Sequence, residues 1–189
     1  MNAAPSIATA VSMNFATKRL TDITPADAQT EMLEGRFVWI DVNLERADEA
    51  RTLISSLDLC PPEVLEDAFT RDPATQIGRY EDCLHLVLTG CRLTGRAFDL
   101  ERVDAVIGER FMLTLRRGPT EFMNAVHRDF RSDFTRFAQS PSFLLYELWD
   151  HLIENYLKVH EAFDARVEAI QRALSGEVEE SIFQEVSEL

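Results

Sequence analysis

Two groups of carboxylates in this sequence are candidates for a functional site. The first group follows Pro61 and Pro62. Glu66 and Asp67 are adjacent on a short predicted helix that the two prolines can open. Neighbouring residues on a helix point in different directions, so we expect one of these acids to point to solvent or to a neighbour while the other caps the chain locally. The alternative is a solvated acidic turn, the usual state of surface carboxylates.

The second group lies along a long predicted helix. Glu147, Asp150, His151 and Glu154 are spaced i, i+3, i+4 and i+7, which places them on one helix face. Oxygen ligands in such a row could hold a hard divalent cation. The alternative is a solvated face opposite the apolar side of the helix.

Other motifs that carry chemistry are missing from the sequence. It has no nucleophile motif, phosphate loop, Rossmann fingerprint or His-Glu-x-x-His zinc motif. We expect His85 to be a hydrogen-bonded strand residue and His127 to be solvated. The three cysteines lack Cys-x-x-Cys spacing, so neither a disulfide framework nor a thiolate zinc site is predicted.

The charge balance excludes further classes of function. The 189 residues include 33 acids and 19 Lys and Arg, for a net charge of -14. Such a chain repels nucleic acid and anionic lipid and attracts cations or basic partners. Eleven of the acids, against three bases, lie between residues 142 and 189. No stretch approaches the about 18 apolar residues of a membrane span.

The elements that must position these acids are both helices and strands. We predict a loosely ordered tail at 1–24, an α/β domain at 25–140, and a long helix with the start of another at 141–189. Apolar and β-branched runs predict strands at 37–42, 83–91, 98–107 and 111–115. Helices are predicted from Thr24 to Gly35, at 45–57 and at 63–69. Short loops link the last three strands, so we expect a mixed, largely antiparallel sheet flanked by helices, an α/β (α+β) fold.

The long helix is predicted from apolar residues at steps of four and three. These are Leu145, Trp149, Leu152, Tyr156, Val159, Phe163, Val167, Ile170 and Leu174. Ser175 and Gly176 end this pattern, and a new helical period from Val178 is still running at Leu189. The second period predicts the start of a stalk helix in a segment of a longer protein.

Five short motifs occur in the order of one known family. They are Trp39–Val42 (WIDV), Cys60–Asp67 (CPPEVLED), Tyr80–Leu84 (YEDCL), Phe111–Leu115 (FMLTL) and Ser142–Asp150 (SFLLYELWD). Over residues 37–189 the chain resembles the cytoplasmic N-terminal domain of the CorA-like divalent cation transporters. The family's two transmembrane helices and Gly-Met-Asn signature lie outside this sequence, so we expect a soluble fragment that does not conduct ions by itself.

The resemblance implies a regulatory rather than an enzymatic function. The whole protein would be a homopentamer at the cytoplasmic face of the inner membrane, transporting Mg²⁺ or Co²⁺ and reaching the membrane through segments outside this sequence. In the family a regulatory ion binds between neighbouring subunits, and the matching residues here are Glu66, Asp67 and Asp150. Glu147, His151 and Glu154 are further candidates.

Three alternatives stay open. Within the family, a zinc-transporting branch would use Zn²⁺ instead, because the selectivity residues lie outside this sequence. From other classes, the acidic row of the long helix could belong to a stand-alone metal enzyme, which requires a pocket of converging polar groups. The acidic C-terminal helix could also dock a basic partner.

Overall fold

A seven-stranded mixed sheet is the middle layer of the computed structural model, which describes residues 6–70, 75–94 and 97–174. The strands are β1 (Ala8–Asn14), β2 (Arg19–Ile23), β3 (Phe37–Asn43), β4 (Gln76–Arg79), β5 (Cys83–Thr94), β6 (Ala97–Gly108) and β7 (Phe111–Arg116). Their order is β2-β1-β3-β7-β6-β5-β4. Strands β3 and β7 are parallel, and the other neighbours are antiparallel. The predicted mixed, largely antiparallel sheet is confirmed.

Helices cover both faces of this sheet. They are α1 (Ala28–Leu33), α2 (Ala47–Leu57), α3 (Pro62–Ala68), α4 (Glu121–Phe137) and α5 (Ser142–Leu174). A 3₁₀ turn at Pro25–Asp27 precedes α1, and the Thr24 N–H and Oγ1 both donate to Asp27 Oδ2, at 3.2 and 2.7 Å. Gly35 ends this segment with φ +83°, a conformation that favours glycine.

Helices α1, α2 and α3 pack on one face. Ala50, Ile54 and Leu57 of α2 are buried at the helical spacing expected from the sequence. They form one cluster with Ile40 of β3 and Val64 of α3. Burial of each Ile or Leu side chain contributes about 1.5–3 kcal/mol, so this layer holds α3 firmly against the sheet.

Helices α4 and α5 pack on the other face, around Trp39. The indole is 2% exposed and meets Phe130 edge-on, with ring centroids 4.9 Å apart. Its Nε1 donates to Thr114 Oγ1 at 3.1 Å. Phe122 and Phe134 of α4 complete the aromatic part of this core. The result is a three-layer α/β/α arrangement, which confirms the predicted α/β (α+β) fold.

The predicted loose tail at residues 1–24 is wrong over the described residues. Strand β1 pairs with β2 on one side and β3 on the other. Its sequence, ATAVSMN, contains mostly small or polar residues, so its apolar alternation is weak. Pairing with two neighbouring strands stabilises it, and such tertiary contacts override a weak strand propensity.

The predicted long helix is confirmed as α5, but its buried stripe differs from the predicted one. Trp149 and Tyr156 of the predicted stripe are 40% and 45% exposed, and Leu144 and Leu148 are buried in their place. Leu152 and Ile170 are buried as predicted. Polar residues fill the other inward positions, so the apolar period alone misplaces the packed face. The predicted start of a stalk helix after residue 175 lies outside the described residues.

Candidate functional site

The two adjacent acids of α3 point in different directions, as predicted. Glu66 pairs with Arg51 of α2 at 2.5 and 3.2 Å. That guanidinium also stacks on Phe69, 3.9 Å from the ring centroid. Asp67 turns toward the sheet, where its Oδ2 lies 2.5 Å from Arg102 Nη2. Glu66 therefore belongs to a surface ion pair, and Asp67 to a network centred on β6.

Arg102 connects Asp67 to a buried acid on the same strand as itself. Arg102 and Asp104 are two residues apart on β6, so they share a face of the sheet. Arg102 donates to Asp104 from Nε at 2.9 Å and from Nη2 at 2.7 Å. His85 Nε2 lies 2.8 Å from Asp104 Oδ1, and Gln76 Nε2 donates to Asp67 Oδ2 at 2.8 Å. Burial opposes the charge of Arg102, but Asp104 and Asp67 outweigh it and raise the pKa of the guanidinium.

Asp67, His85 and Asp104 are also the one group of three potential metal ligands among the described residues, with ligand atoms within 4.8 Å of one another. Two carboxylates and an imidazole suit Zn²⁺ or Co²⁺ better than Mg²⁺. The guanidinium of Arg102 already holds the position of a cation between the carboxylates. An ion that leaves Arg102 in place therefore reaches this group through the exposed side of Asp67, which is 37% accessible.

The acidic row of α5 is divided between the interior and the surface. Glu147 and His151 are 5% and 7% exposed, whereas Asp150 and Glu154 lie on the surface. The alternative of a solvated helix face is therefore wrong for the inner pair. His151 Nε2 lies 3.7 Å from Asp129 Oδ2 and 3.8 Å from Glu147 Oε2. Its Nδ1 lies 3.4 Å from Glu154 Oε2.

Glu147 and Asp150 border a cavity of about 610 Å³ between α4 and α5. Asp133 lines it as well, so three carboxylates surround this space. Burial and the charges of Asp133, Asp150 and Asp129 raise the pKa of Glu147 to about 7. This collection of oxygen ligands has the chemistry that a hard divalent cation prefers.

The structure does not bring Asp67 and Asp150 together. Helix α3 packs with α1 and α2, whereas α5 packs with α4 on the opposite face. The sheet therefore separates the two predicted sensor residues within one copy of the chain.

A third network, absent from the predictions, centres on Asp41 of β3. Its carboxylate is 2% exposed and accepts hydrogen bonds from Thr114 Oγ1 at 2.7 Å and Arg116 Nε at 2.9 Å. His127 Nε2 lies 3.0 Å from Asp41 Oδ2, and its ring stacks on Trp39 at 4.8 Å. The predicted solvation of His127 is therefore wrong. The sequence did contain a signal for this network. Asp41 is the one acid within the apolar strand β3, and a buried charge requires partners.

The sequence held a weaker signal for the Arg102 network. The predicted hydrogen-bonded role of His85 is confirmed by its contact with Asp104. Arg102 and Asp104 alternate with apolar residues on β6, which indicates that they share a face. Which acid of another element would approach them depends on tertiary packing, so Asp67 could not be paired with Arg102 from the sequence.

The sequence matches a known protein family over most of its length. A family model described as CorA-like Mg2+ transporter protein matches residues 34–189. The chain belongs to this family. The motif-based prediction of a CorA-like domain is thus confirmed. A search among curated protein sequences finds no relative.

Solved structures of the family share this fold at low sequence identity. The soluble domain of CorA from Methanocaldococcus jannaschii matches with a TM-score of 0.78 and 12% identity, over 96% of this chain and 69% of that one. The complete CorA magnesium transporter from the same organism matches with 0.79 and 14%, over 98% of this chain and 56% of that one. The ZntB cytoplasmic domain from Vibrio parahaemolyticus matches with 0.66 and 13%, over 95% and 69%.

The match to the complete transporter covers little more than half of that protein, 56% of its length. None of the described helices combines the length and apolar character that crossing a bilayer requires.

Proposed function

We propose that the chain is the cytoplasmic, ion-sensing domain of a divalent cation transporter, with Mg²⁺ as its regulatory ligand. The observation that carries this proposal is the placement of Asp67 and Asp150 on opposite faces of the sheet. In a ring of identical copies, one face of each copy meets a different face of the next. Asp67 of one copy can then approach Asp150 of its neighbour, although the two never meet within one chain.

Electrostatics makes such an interface dependent on a cation. Each copy carries a net charge of -14, so copies repel one another. A divalent ion between the two aspartates offsets this repulsion locally and supplies a bridge of oxygen ligands. Loss of the ion loosens the contact, and the ion concentration thereby sets the population of the closely packed ring.

The remaining parts of the proposal concern the whole protein. We assign the whole protein to a homopentamer that transports Mg²⁺ or Co²⁺, with this domain at the cytoplasmic face of the inner membrane. Conduction belongs to segments outside this sequence, and the domain described here responds to the transported ion. Glu66 is a less direct contributor, because Arg51 already neutralises it.

Sedimentation velocity with and without Mg²⁺ tests this proposal. We expect the chain to associate as Mg²⁺ rises to about 10 mM, and not in NaCl of equal ionic strength. Asp67→Asn should abolish the response, because the amide lacks the charge that holds the ion. Asp48→Asn, at an exposed acid of α2, is the matched control and should associate like the wild type. Equal association of both variants would refute the role of Asp67.

A zinc-responsive domain is the second candidate, favoured by His85 beside Asp67 and Asp104. Imidazole ligands favour Zn²⁺ over Mg²⁺, and here Zn²⁺ would have to displace Arg102 from the carboxylates. In that case micromolar Zn²⁺ should raise the melting temperature of the chain, and His85→Gln should remove the effect. A response to Mg²⁺ that survives in His85→Gln supports the first candidate instead.

A further inference from the structure

A crevice opens at the carboxyl ends of the two parallel strands, β3 and β7. The chain leaves β3 toward α2 on one face and leaves β7 toward α4 on the opposite face. Adjacent parallel strands whose connections diverge in this way leave a gap, and open α/β sheets bind ligands in such gaps. A cavity of about 430 Å³ occupies the gap here, a volume suited to a small molecule.

Arginines are concentrated around this cavity although the chain as a whole is acidic. Among the described residues, four arginines and two acids line it: Arg92, Arg102, Arg116, Arg117, Glu101 and Asp104. Arg102 is compensated by Asp104 and Asp67, and Arg116 by the buried Asp41. The other two, Arg92 on β5 and Arg117 after β7, lie farther from acidic side chains.

Among the described residues, Arg117 and Arg92 make no hydrogen bond to a carboxylate. Arg117 makes one hydrogen bond within the described structure, from Nη2 to the Phe69 carbonyl oxygen at 3.1 Å. Arg92 approaches Asp99 and Glu101 only to 3.7 and 3.5 Å. A guanidinium has five N–H donors, so both side chains keep donors for an anion.

Two buried polar atoms of the same lining lack hydrogen-bond partners. Thr120 is 2% exposed, and its Oγ1 has no partner and does not cap α4. Glu101 Oε2 accepts a hydrogen bond from the Glu121 N–H at 2.7 Å, but its Oε1 has none. Burial raises the pKa of Glu101, and its Oε1 faces Arg92 Nε at 3.5 Å. An unpaired buried hydroxyl is costly, and a ligand oxygen that accepts from Thr120 Oγ1 recovers that cost.

We propose that this crevice binds a small organic phosphate. Arg92 and Arg117 offer guanidinium donors that match phosphate oxygens, and the buried Thr120 hydroxyl offers a further donor. Apolar side chains form the rest of the wall and suit the organic part: Leu44, Leu100, Leu115 and Pro119. Binding at this site requires neither a metal nor a second copy, although Arg102 and Asp104 of its lining also belong to the network of Asp67.

Calorimetric titration of the chain with phenyl phosphate and with inorganic phosphate tests this site. We expect both to bind, phenyl phosphate about tenfold more tightly because it also contacts the apolar wall. Arg117→Gln should weaken phenyl phosphate binding about tenfold. Arg136→Gln, at an exposed arginine in the last turn of α4, is the matched control and should bind like the wild type.

The Thr120→Val variant tests phosphate binding independently of folding. Its hydroxyl has no partner in the protein, so the variant should melt at or above the wild-type temperature and yet bind phenyl phosphate several-fold more weakly. Three results would overturn the proposal: no phosphate binding up to about 10 mM, equal loss in Arg117→Gln and Arg136→Gln, or benzoate binding as tightly as phenyl phosphate.

Discussion

Asp41 is a buried carboxylate with close partners on two other elements. Burial by itself would raise the pKa of this carboxyl, but the hydrogen bond to His127 and the charge of Arg116 hold the pKa below its usual value of 3.8. Its partners come from β7 and α4, so the ion pair joins the sheet to the helix layer. Removing one member of such a buried pair leaves the other uncompensated.

We therefore expect Asp41→Asn to lower the free energy of unfolding by about 3–5 kcal/mol at neutral pH, as measured in urea. Because the folded-state pKa lies below the unfolded value, this stability is present above pH 3.8 and is lost as the pH falls through the folded pKa. The difference between wild type and variant should shrink in acid. A loss under about 1 kcal/mol at neutral pH would contradict the assignment.

Glu147 shows the opposite behaviour. Burial and neighbouring carboxylates raise its pKa from 4.5 to about 7, so the folded state holds its proton more tightly than the unfolded chain does. Its contribution to stability is complete below pH 4.5 and is lost as the pH rises through about 7. In EDTA, Glu147→Gln should gain about 1–3 kcal/mol relative to the wild type between about pH 5 and 8. A pH-independent difference in thermal unfolding would contradict this.

At the scale of elements, the amide of Asn155 and the hydroxyl of Tyr156 both join α5 to the backbone of β5. Asn155 accepts from the Cys91 N–H and donates to the Cys91 carbonyl oxygen, both at 2.8 Å. Gly90 allows this approach, because a Cβ there would lie 2.7 Å from a Phe122 ring carbon and 3.4 Å from Asn155 Oδ1. The contact requires a polar residue on the inward face of the helix.

Asn155→Ala should lower the free energy of unfolding by about 2–4 kcal/mol, since two buried backbone groups of Cys91 lose their partner. Asn124→Ala, at an exposed position of α4, is the matched control and should change stability by less than about 0.5 kcal/mol. Chemical denaturation of both variants measures the difference. Similar values for the two would remove the proposed link between α5 and β5.

The sequence predicted those elements whose own pattern was strong. Strands such as β3 and β7 have apolar β-branched runs, and α2 has a clear helical period, so these were found with nearly correct ends. Strands β1, β2 and β4 were missed, because small or polar residues carry little periodic signal. In the candidate site, the divergence of Glu66 and Asp67 followed from helix geometry. The pairing of Asp67 with Arg102 could not be predicted in this way, because the two residues are far apart along the chain and meet only in the folded structure.

At the scale of the whole molecule, charge and layering act together. A net charge of -14 opposes the approach of two copies, while the layers place Asp67 and Asp150 where only different copies can share an ion. We therefore propose that two copies form one ion site, each supplying a different aspartate.

Mixing two defective variants tests that claim most directly. Asp67→Asn and Asp150→Asn should each fail to associate in Mg²⁺, because every interface then lacks one ligand. An equimolar mixture should associate, since Asp67 of one variant can meet Asp150 of the other and form one intact site per pair. Sedimentation velocity with one variant fluorescently labelled distinguishes mixed from uniform species. A mixture that sediments as the separate variants do, or single variants that associate like the wild type, would contradict the account.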